Sequence, residues 1–186
     1  MEAFYISTAV VALAEMGDKT QLLSFVLAAR LRRKCTIALG VLAATAANHA
    51  LAGYVGVWVA HFLDPQAQRW TVSLAFFAFA AWVLRPDELG ERPALRGTGV
   101  FLTTLVAFFL VEMGDKTQLA TVALAVRYEA LLTVVAGTTL GMMIANVPAV
   151  WLGEALAHRL DMRLMRCIAA GLFALLGLLT LAAGER

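Results

Sequence analysis

The octapeptide Glu-Met-Gly-Asp-Lys-Thr-Gln-Leu occurs twice in this chain, at residues 15–22 and 112–119, each time inside a long apolar stretch. Ionisable side chains within an apolar span are costly, and where they occur they usually mark an ion or proton pathway. Each copy brings two carboxylates and a lysine to such a position. The repeated octapeptide therefore predicts a buried, charged functional site to which both halves of the chain contribute.

The composition places this site in a membrane. Of the 186 residues, 61% are hydrophobic and only 15% are charged, which is too apolar for a soluble domain with one core. A spanning helix takes roughly 20 residues, and apolar segments of about that length run approximately over 3–29, 36–60, 67–84, 98–126, 131–157 and 167–183. We therefore predict an all-α integral membrane protein with six transmembrane helices. The formal net charge of +2 gives no reason to expect a nucleic-acid partner.

The similarity between the two halves extends beyond the octapeptide. At the offset of 97 residues the following pairs recur, with the asparagines slipped by one residue: Arg30 and Arg127, Gly40 and Gly137, Asn48 and Asn146, Gly56 and Gly153, His61 and His158, Asp64 and Asp161, Arg69 and Arg166. Three spans is an odd number, so the second half must enter the membrane from the opposite side. Secondary transporters with such inverted repeats place their substrate site at the midplane. We predict a first three-helix repeat over 1–90, a linker at 91–97 within the central loop, and an inverted second repeat over 98–186.

The loops differ strongly in basic charge. One side of the predicted topology carries ten basic residues: Arg30, Arg32, Arg33, Lys34, Arg85, Arg92, Arg96, Arg159, Arg163 and Arg166. The other side carries three: Arg69, Arg127 and Arg186. Because basic loops stay in the cytoplasm, this bias predicts that both termini lie outside. The two cysteines, Cys35 and Cys167, fall beside basic loops, so we expect no structural disulfide.

The motif residues suggest a metal site. If each motif continues a helix, Glu15 and Asp18 share a face, Gln21 follows three residues on, and the second motif repeats the arrangement. These side chains offer oxygen, which hard divalent cations such as calcium, magnesium and manganese prefer. The predicted ligands are Glu15, Asp18, Gln21, Glu112, Asp115 and Gln118.

The charges of the paired motifs favour exchange over a simple pore. Four carboxylates and two lysines sum to −2 when all are ionised, which one divalent cation neutralises. An empty site would hold that charge in a medium of low dielectric, where like charges repel strongly. Protons should therefore replace the metal, and the sequence indicates cation/proton exchange.

Further residues of the two halves are expected to support the site: Gly17, Gly114, Lys19, Lys116, Asn48 and Asn146. The glycines permit helix unwinding or close approach of the other half. The lysines either pair with the acids or extend toward an interface. For the asparagines, metal ligation and interhelical hydrogen bonding are equally good interpretations.

The two motifs resemble the Golgi-type manganese/calcium transporter family, once catalogued as uncharacterised protein family sixteen and related to the cation/calcium exchanger superfamily. Its hallmark is two copies of Glu-x-Gly-Asp-Lys/Arg-Thr/Ser, and both match here. The resemblance covers nearly the whole chain. It implies a cation site formed by Glu15, Asp18, Glu112 and Asp115. The implied helper residues are Thr20, Gln21, Thr117 and Gln118.

The resemblance also implies a transported ion and a location. It implies transport of manganese, or of calcium as well in eukaryotic relatives, in exchange for protons. Since the chain looks like a compact prokaryotic version, the expected role is manganese export across the plasma (inner) membrane. We expect no prosthetic group, and the expected partners are the divalent cation and membrane lipid. The sequence leaves open whether the protein is a monomer or a homo-oligomer.

Other functions remain as alternatives. A calcium/proton exchanger would accept the same oxygen ligands. A non-transporting membrane subunit, whose motifs hold a larger complex together, is the alternative of a different class. No nucleophile and base pair emerges from the sequence, so we expect that the protein is not an enzyme.

Overall fold

The computed structural model describes residues 1–85, 99–152 and 161–183, and all the regular structure in these ranges is helical. The described ranges contain eight helices: α1 (Glu2–Glu15), α2 (Lys19–Leu31), α3 (Lys34–Ala60), α4 (Pro65–Val83), α5 (Val100–Glu112), α6 (Lys116–Tyr128), α7 (Leu131–Leu152) and α8 (Met162–Ala182). The prediction of an all-helical fold is confirmed for the described residues.

Each octapeptide interrupts its helix. The prediction of continuous helices over 3–29 and 98–126 is therefore wrong, because each of these segments is divided into two helices at the motif. The interruption contains Gly17 in the first half and Gly114 in the second, with φ of 81° and 78°. Glycine adopts this left-handed region without steric cost, whereas other residues rarely do. Of the two roles expected of these glycines, the structure shows a helix break at each of them.

The remaining boundaries follow from local capping signals. Asp64 precedes α4 and its carboxylate accepts a backbone N–H of the first turn at 2.8 Å, while Pro65 opens the helix. Asp161 caps α8 in the same way at 3.0 Å. Because α8 starts at this cap, Arg163 and Arg166 lie in its first turns and not in the predicted loop.

Some sequence features lie outside the described residues. They are the predicted linker at 91–97, and also Gly153, His158, Arg92, Arg96, Arg159 and Arg186.

Three of the described helices are long and apolar enough to cross a bilayer. They comprise Lys34–Ala60, Leu131–Leu152 and Arg163–Ala182. Large apolar side chains face outward on several helices, including Leu74, Leu132 and Leu178, whose exposed fractions are 68%, 83% and 57%. An outward-facing apolar surface of this kind suits contact with lipid.

The two halves pack through the same contacts. Helix α5 packs along α3, and α1 packs along α7. Gly40 of α3 lies against Thr104 and the Phe101 carbonyl of α5. At the repeat offset of 97 the corresponding glycine is Gly137 of α7, and it lies in the same way against Ser7 and the Phe4 carbonyl of α1. The sequence repeat is thus also a repeat of packing geometry.

Helices α3 and α7 run in opposite directions. Gly53, late in α3, lies against Leu131 at the start of α7. Lys34 Nζ, at the start of α3, donates to the Trp151 carbonyl near the end of α7 at 3.0 Å. The bundle therefore has two ends, which we call the Arg30 end, where α2 finishes, and the Arg127 end, where α6 finishes.

We expect Gly137→Ala to destabilise the fold. A Cβ at Gly137 would lie 2.6 Å from the Phe4 carbonyl oxygen and 3.0 Å from Ser7 Cβ. Since backbone cannot move aside cheaply, the expected cost is about 1–3 kcal/mol, measured by thermal unfolding of the purified protein. Gly171 is the matched control, because a Cβ there has no neighbour within 4 Å. Equal melting temperatures for the two alanine variants would contradict the close α1–α7 packing.

Candidate metal site

The helix breaks place four carboxylates at helix ends. Glu15 is the last residue of α1 and Asp18 precedes the first residue of α2 with extended backbone, and Glu112 and Asp115 hold the same positions in the second half. All four side chains are buried, with exposed fractions of 0% to 3%. Buried carboxylates need a cation, a proton or hydrogen bonds to be stable.

The two motifs meet at these breaks. Carboxylate oxygens of Glu15, Asp18 and Asp115 all lie within 4.8 Å of one another. This group takes residues from both halves, so acidic residues of the two motifs meet in one cluster. Glu112 does not belong to the group of three; its carboxylate lies next to the Thr45 hydroxyl, at 3.4 and 3.5 Å.

The lysines link the two motifs reciprocally. Lys116 Nζ lies 2.8 Å from Asp18 Oδ1, and Lys19 Nζ lies 2.6 Å from Asp115 Oδ1. Of the two predicted lysine roles, pairing with the acids is the one observed, and it joins opposite halves. The lysine side chains differ in burial, with exposed fractions of 5% for Lys116 and 22% for Lys19. We call these two ion pairs the aspartate–lysine clasp.

The threonines of the motifs hold the carboxylates. The Thr20 hydroxyl donates to Glu15 Oε2, and the other oxygen of Glu15 has no hydrogen-bond partner among the described residues. In the second half the Thr117 hydroxyl donates to Asp115 at 3.3 Å. Glu15 therefore keeps one buried oxygen that is free to bind a cation or a proton.

The motif glutamines stabilise the helix breaks. Gln21 Oε1 accepts from the backbone N–H of Gly17 at 3.0 Å, and Gln118 Oε1 accepts from that of Gly114 at 2.7 Å. The Gln21 amide also donates to the Ala145 carbonyl of α7 at 3.2 Å. In this structure the amide oxygens that were predicted to bind metal accept these hydrogen bonds. Metal ligation by the glutamines stays a prediction.

The two asparagines form interhelical hydrogen bonds. Asn48 Nδ2 donates to the Phe109 carbonyl of α5 at 3.1 Å, and Asn146 Oδ1 accepts from the Ser24 hydroxyl of α2 at 2.8 Å. Asn48 Oδ1 is buried and has no hydrogen-bond partner among the described residues. The two halves therefore differ here, because only the first-half asparagine keeps an oxygen available.

Sequence reasoning missed two residues that touch this network, Thr45 and Ser24. Thr45 is three residues before Asn48 on α3, and Ser24 is three residues after Gln21 on α2. A spacing of three places side chains on one helix face, so this spacing was the available signal. Neither residue lies inside the repeated motif, which is why the motif comparison did not select them.

The arrangement suits reversible binding of hard cations. Three carboxylates converge in a buried place where the other groups described are hydroxyls, amides, backbone and two lysines. Such oxygens bind calcium, magnesium and manganese, and each carboxylate also binds a proton. The same groups can therefore be neutralised in two ways.

Comparisons with known proteins agree with this chemistry. The family model for the divalent cation/proton antiporter GDT1 matches residues 3–91 and 100–186. A candidate manganese exporter of Vibrio cholerae is 46% identical over 181 residues, covering 97% of this chain and 90% of that protein. A GDT1-like protein of Synechocystis is 29% identical over 193 residues, covering 93% of each chain. GDT1-like protein 4 of rice is 29% identical, covering 92% of this chain and 70% of that protein. No solved structure matches the chain.

Proposed function

Because the chain belongs to the divalent cation/proton antiporter family GDT1, we propose that it exports manganese in exchange for protons through the carboxylates of its two motifs. Members of this family are transporters, so the membrane location and the exchange of cations for protons follow from membership. The ion, the residues that bind it and the direction of transport are the parts that we propose.

The aspartate–lysine clasp is the observation that carries the proposal. Asp18 and Asp115 are each paired with a lysine of the opposite motif, so these four groups add no net charge. The charge of −2 that remains comes from Glu15 and Glu112, both buried. One divalent cation or two protons would neutralise them, so we propose an exchange of two protons for each metal ion.

The geometry of the broken helices supports cation binding at Glu15. This residue ends α1, and the last carbonyls of a helix carry partial negative charge and lack helical partners. Discontinuous helices of this kind bind the coupling ions of other secondary transporters. We propose that the metal binds Glu15, Asp18 and Asp115 first, and that Glu112 joins when the halves move.

We further propose six membrane crossings arranged as two inverted repeats. In each half the two short helices at the motif would act together as one span; α1 and α2 together have the length of about 27 helical residues, or about 40 Å, enough for a hydrocarbon core of about 30 Å. The opposite directions of α3 and α7 and the repeated glycine contacts support the inversion.

The proposed orientation rests on the distribution of basic charge. Described arginines and lysines concentrate at the Arg30 end, which we propose faces the cytoplasm of a prokaryote across its plasma (inner) membrane. Both termini would then lie outside. Metal enters from the Arg30 end and leaves at the Arg127 end, and protons move the other way.

Manganese is the proposed ion because of the 46% identical relative from Vibrio cholerae. The oxygen ligands alone would also accept calcium, but the comparisons do not favour a calcium/proton exchanger. They also do not favour a structural subunit without transport.

The test is metal-dependent proton flux in liposomes that contain only the purified chain. We expect manganese added outside the liposomes to drive protons out of them, which an internal pH dye detects. A proton gradient with the acidic side inside should likewise drive manganese uptake. Calcium, magnesium and zinc added in competition would rank the ions. We expect each of them to inhibit less than the same concentration of additional manganese. Manganese movement with no proton movement would contradict exchange, and no movement of either would contradict transport.

A further inference from the structure

The glutamates of the two motifs lie in chemically different surroundings. Glu112 lies beside the Thr45 hydroxyl of α3, which is 3.4 and 3.5 Å from its two carboxylate oxygens. At the repeat offset of 97, Glu15 corresponds to Glu112, and Met142 of α7 corresponds to Thr45. The hydroxyl of one half is therefore replaced by a thioether in the other half.

The packing of α1 against α7 brings Met142 close to Glu15. A Cβ at Gly141 would lie 2.9 Å from the Ala12 backbone nitrogen, so α7 touches α1 at the residue just before Met142. Glu15 is three residues after Ala12 and shares its face of the helix, and helix side chains lean back toward the N-terminus. Met142 and Glu15 thus face the same part of the interface, as their counterparts do in the other half.

The sulfur of Met142 is buried and held in place. The side chain is 0% exposed, and Asn146 Nδ2, one turn further along α7, lies 3.1 Å from Met142 Sδ. Asn146 is itself held by α2, because the Ser24 hydroxyl donates to its Oδ1 at 2.8 Å. A thioether sulfur has two lone pairs and accepts hydrogen bonds weakly, so this contact leaves the sulfur able to bind a metal.

Glu15 supplies an oxygen for the same ligand. Its Oε2 accepts from the Thr20 hydroxyl, whereas its Oε1 is buried and has no hydrogen-bond partner among the described residues. A buried carboxylate oxygen without a partner is costly unless a cation or a proton binds it. A free oxygen of Glu15 and a buried sulfur therefore occur together in the first half.

A thioether distinguishes between divalent cations. Calcium and magnesium are hard ions that take oxygen ligands. Manganese also prefers oxygen, but as a transition metal it tolerates a thioether better than calcium and magnesium do. A site in which sulfur takes the place of one oxygen therefore binds calcium and magnesium more weakly relative to manganese.

We infer that Met142 Sδ binds the transported cation together with the free oxygen of Glu15, and that this sulfur makes the site prefer manganese to calcium and magnesium. The inference rests on the proposed function, because it adds one ligand to the same metal site. It assigns different roles to the two halves. The half with Met142 selects the metal, and the half with Thr45 keeps Glu112 beside a hydroxyl.

The experiment measures the affinities of the purified protein for manganese, calcium and magnesium by calorimetry, with and without Met142→Leu. Leucine keeps an apolar side chain of similar volume, and a core tolerates such an exchange well. Loss of the sulfur should lower the manganese affinity about tenfold, as for other groups that tune a metal site. The affinities for calcium and magnesium should stay unchanged.

Met142→Thr is a second variant, which installs the residue of the other half. Its hydroxyl is an oxygen ligand, so the calcium affinity should rise while the manganese affinity falls. The matched control is Met143→Leu, because Met143 lines an apolar groove together with Leu42 of α3. This control should leave all three affinities unchanged. Thermal unfolding of each variant verifies that it is folded.

X-ray absorption at the manganese edge tests direct contact between metal and sulfur. Sulfur scatters more strongly than oxygen and lies farther from the metal, so the two neighbours are distinguished. Manganese bound to the unmodified protein and to the Met143→Leu variant should show a sulfur neighbour. Manganese bound to the Met142→Leu variant should show none. A purely structural role of Met142 would change affinity without any sulfur signal.

The outcomes separate the sulfur ligand from the proposed function. If folded Met142→Leu protein keeps the full preference for manganese, or if the unmodified protein shows no sulfur neighbour, the inference is overturned, whatever the flux assay shows. If both results are as expected but the unmodified protein moves neither manganese nor protons in liposomes, the proposed transport fails and the sulfur ligand stands. If the unmodified protein binds no manganese, both are wrong.

Discussion

Replacing Glu15 by glutamine is expected to abolish the exchange of manganese for protons. Glutamine has nearly the same shape and can still accept the Thr20 hydroxyl bond, so the fold should persist. The site loses one of the two charges that the clasp leaves uncompensated. The metal then loses a charged ligand and the site loses one of its two proton carriers, so the initial rate should fall about a hundredfold or more, which corresponds to about 3 kcal/mol.

The measurement is manganese-driven proton release from liposomes, with manganese affinity determined by calorimetry on the same protein. Glu2→Gln serves as the matched control, because Glu2 is an exposed acid in the first turn of α1. It should exchange at the rate of the unmodified protein. Full exchange by Glu15→Gln would show that the cation is bound elsewhere.

Glu112→Gln should give a different result from Glu15→Gln. Glu112 lies outside the group of three carboxylates and faces Thr45, so manganese should still bind with an affinity closer to normal. Exchange should nevertheless stop, because one of the two proton-carrying carboxylates is gone. Equal losses of affinity in the two variants would instead place Glu112 in the metal site of this state.

Much of the fold could be predicted from the sequence, because membrane helices follow from apolar length. The bounds of α3 and α4 fall within about two residues of the predicted spans, and the repeat offset of 97 recurs in the glycine contacts of Gly40 and Gly137. The helix breaks could not be derived from length, since an apolar run looks the same whether it is continuous or interrupted. The glycine between two acids was the only local signal.

The meeting of the two motifs was predicted, but for a reason that the structure does not support. A shared helix face cannot explain it, because α1 ends at Glu15 before Asp18 is reached. The carboxylates converge because each break turns its acidic residues toward the other half.

The partners of the lysines could not be predicted. Within one motif, Glu15 and Lys19 have the spacing of an intrahelical pair, yet Lys19 pairs with Asp115 of the other motif. That choice depends on how the halves pack, which short-range spacing does not contain. The differences between the two halves could not be derived from the motif for the same reason. Thr45 lies beside Glu112, whereas the residue 97 positions after Thr45 is Met142, which has no hydroxyl.

The unequal burial of the two clasp lysines predicts that the two aspartates differ in their contribution to stability. Asp18→Asn removes the counter-charge of Lys116, whose side chain is only 5% exposed. Breaking a buried ion pair by removing one member costs about 3–5 kcal/mol. Asp115→Asn affects Lys19, which is 22% exposed and can extend its ammonium group toward water. The expected loss is therefore smaller, about 1–2 kcal/mol, although the two substitutions are chemically identical and occupy equivalent positions in the repeat.

Thermal unfolding of the purified variants measures this difference, and Lys116→Met provides its physical test. Combined with Asp18→Asn, it removes the buried ammonium group and keeps an unbranched apolar side chain of similar length, so most of the lost stability should return. Exchange should stay absent, because the site has then lost a carboxylate oxygen and its charge balance. If the Asp18→Asn and Asp115→Asn variants have the same melting temperature, or if adding Lys116→Met to Asp18→Asn does not raise the melting temperature, burial of Lys116 is not the source of the lost stability. If stability returns without exchange, Asp18 has two separable roles: it neutralises a buried lysine and it binds the transported ion.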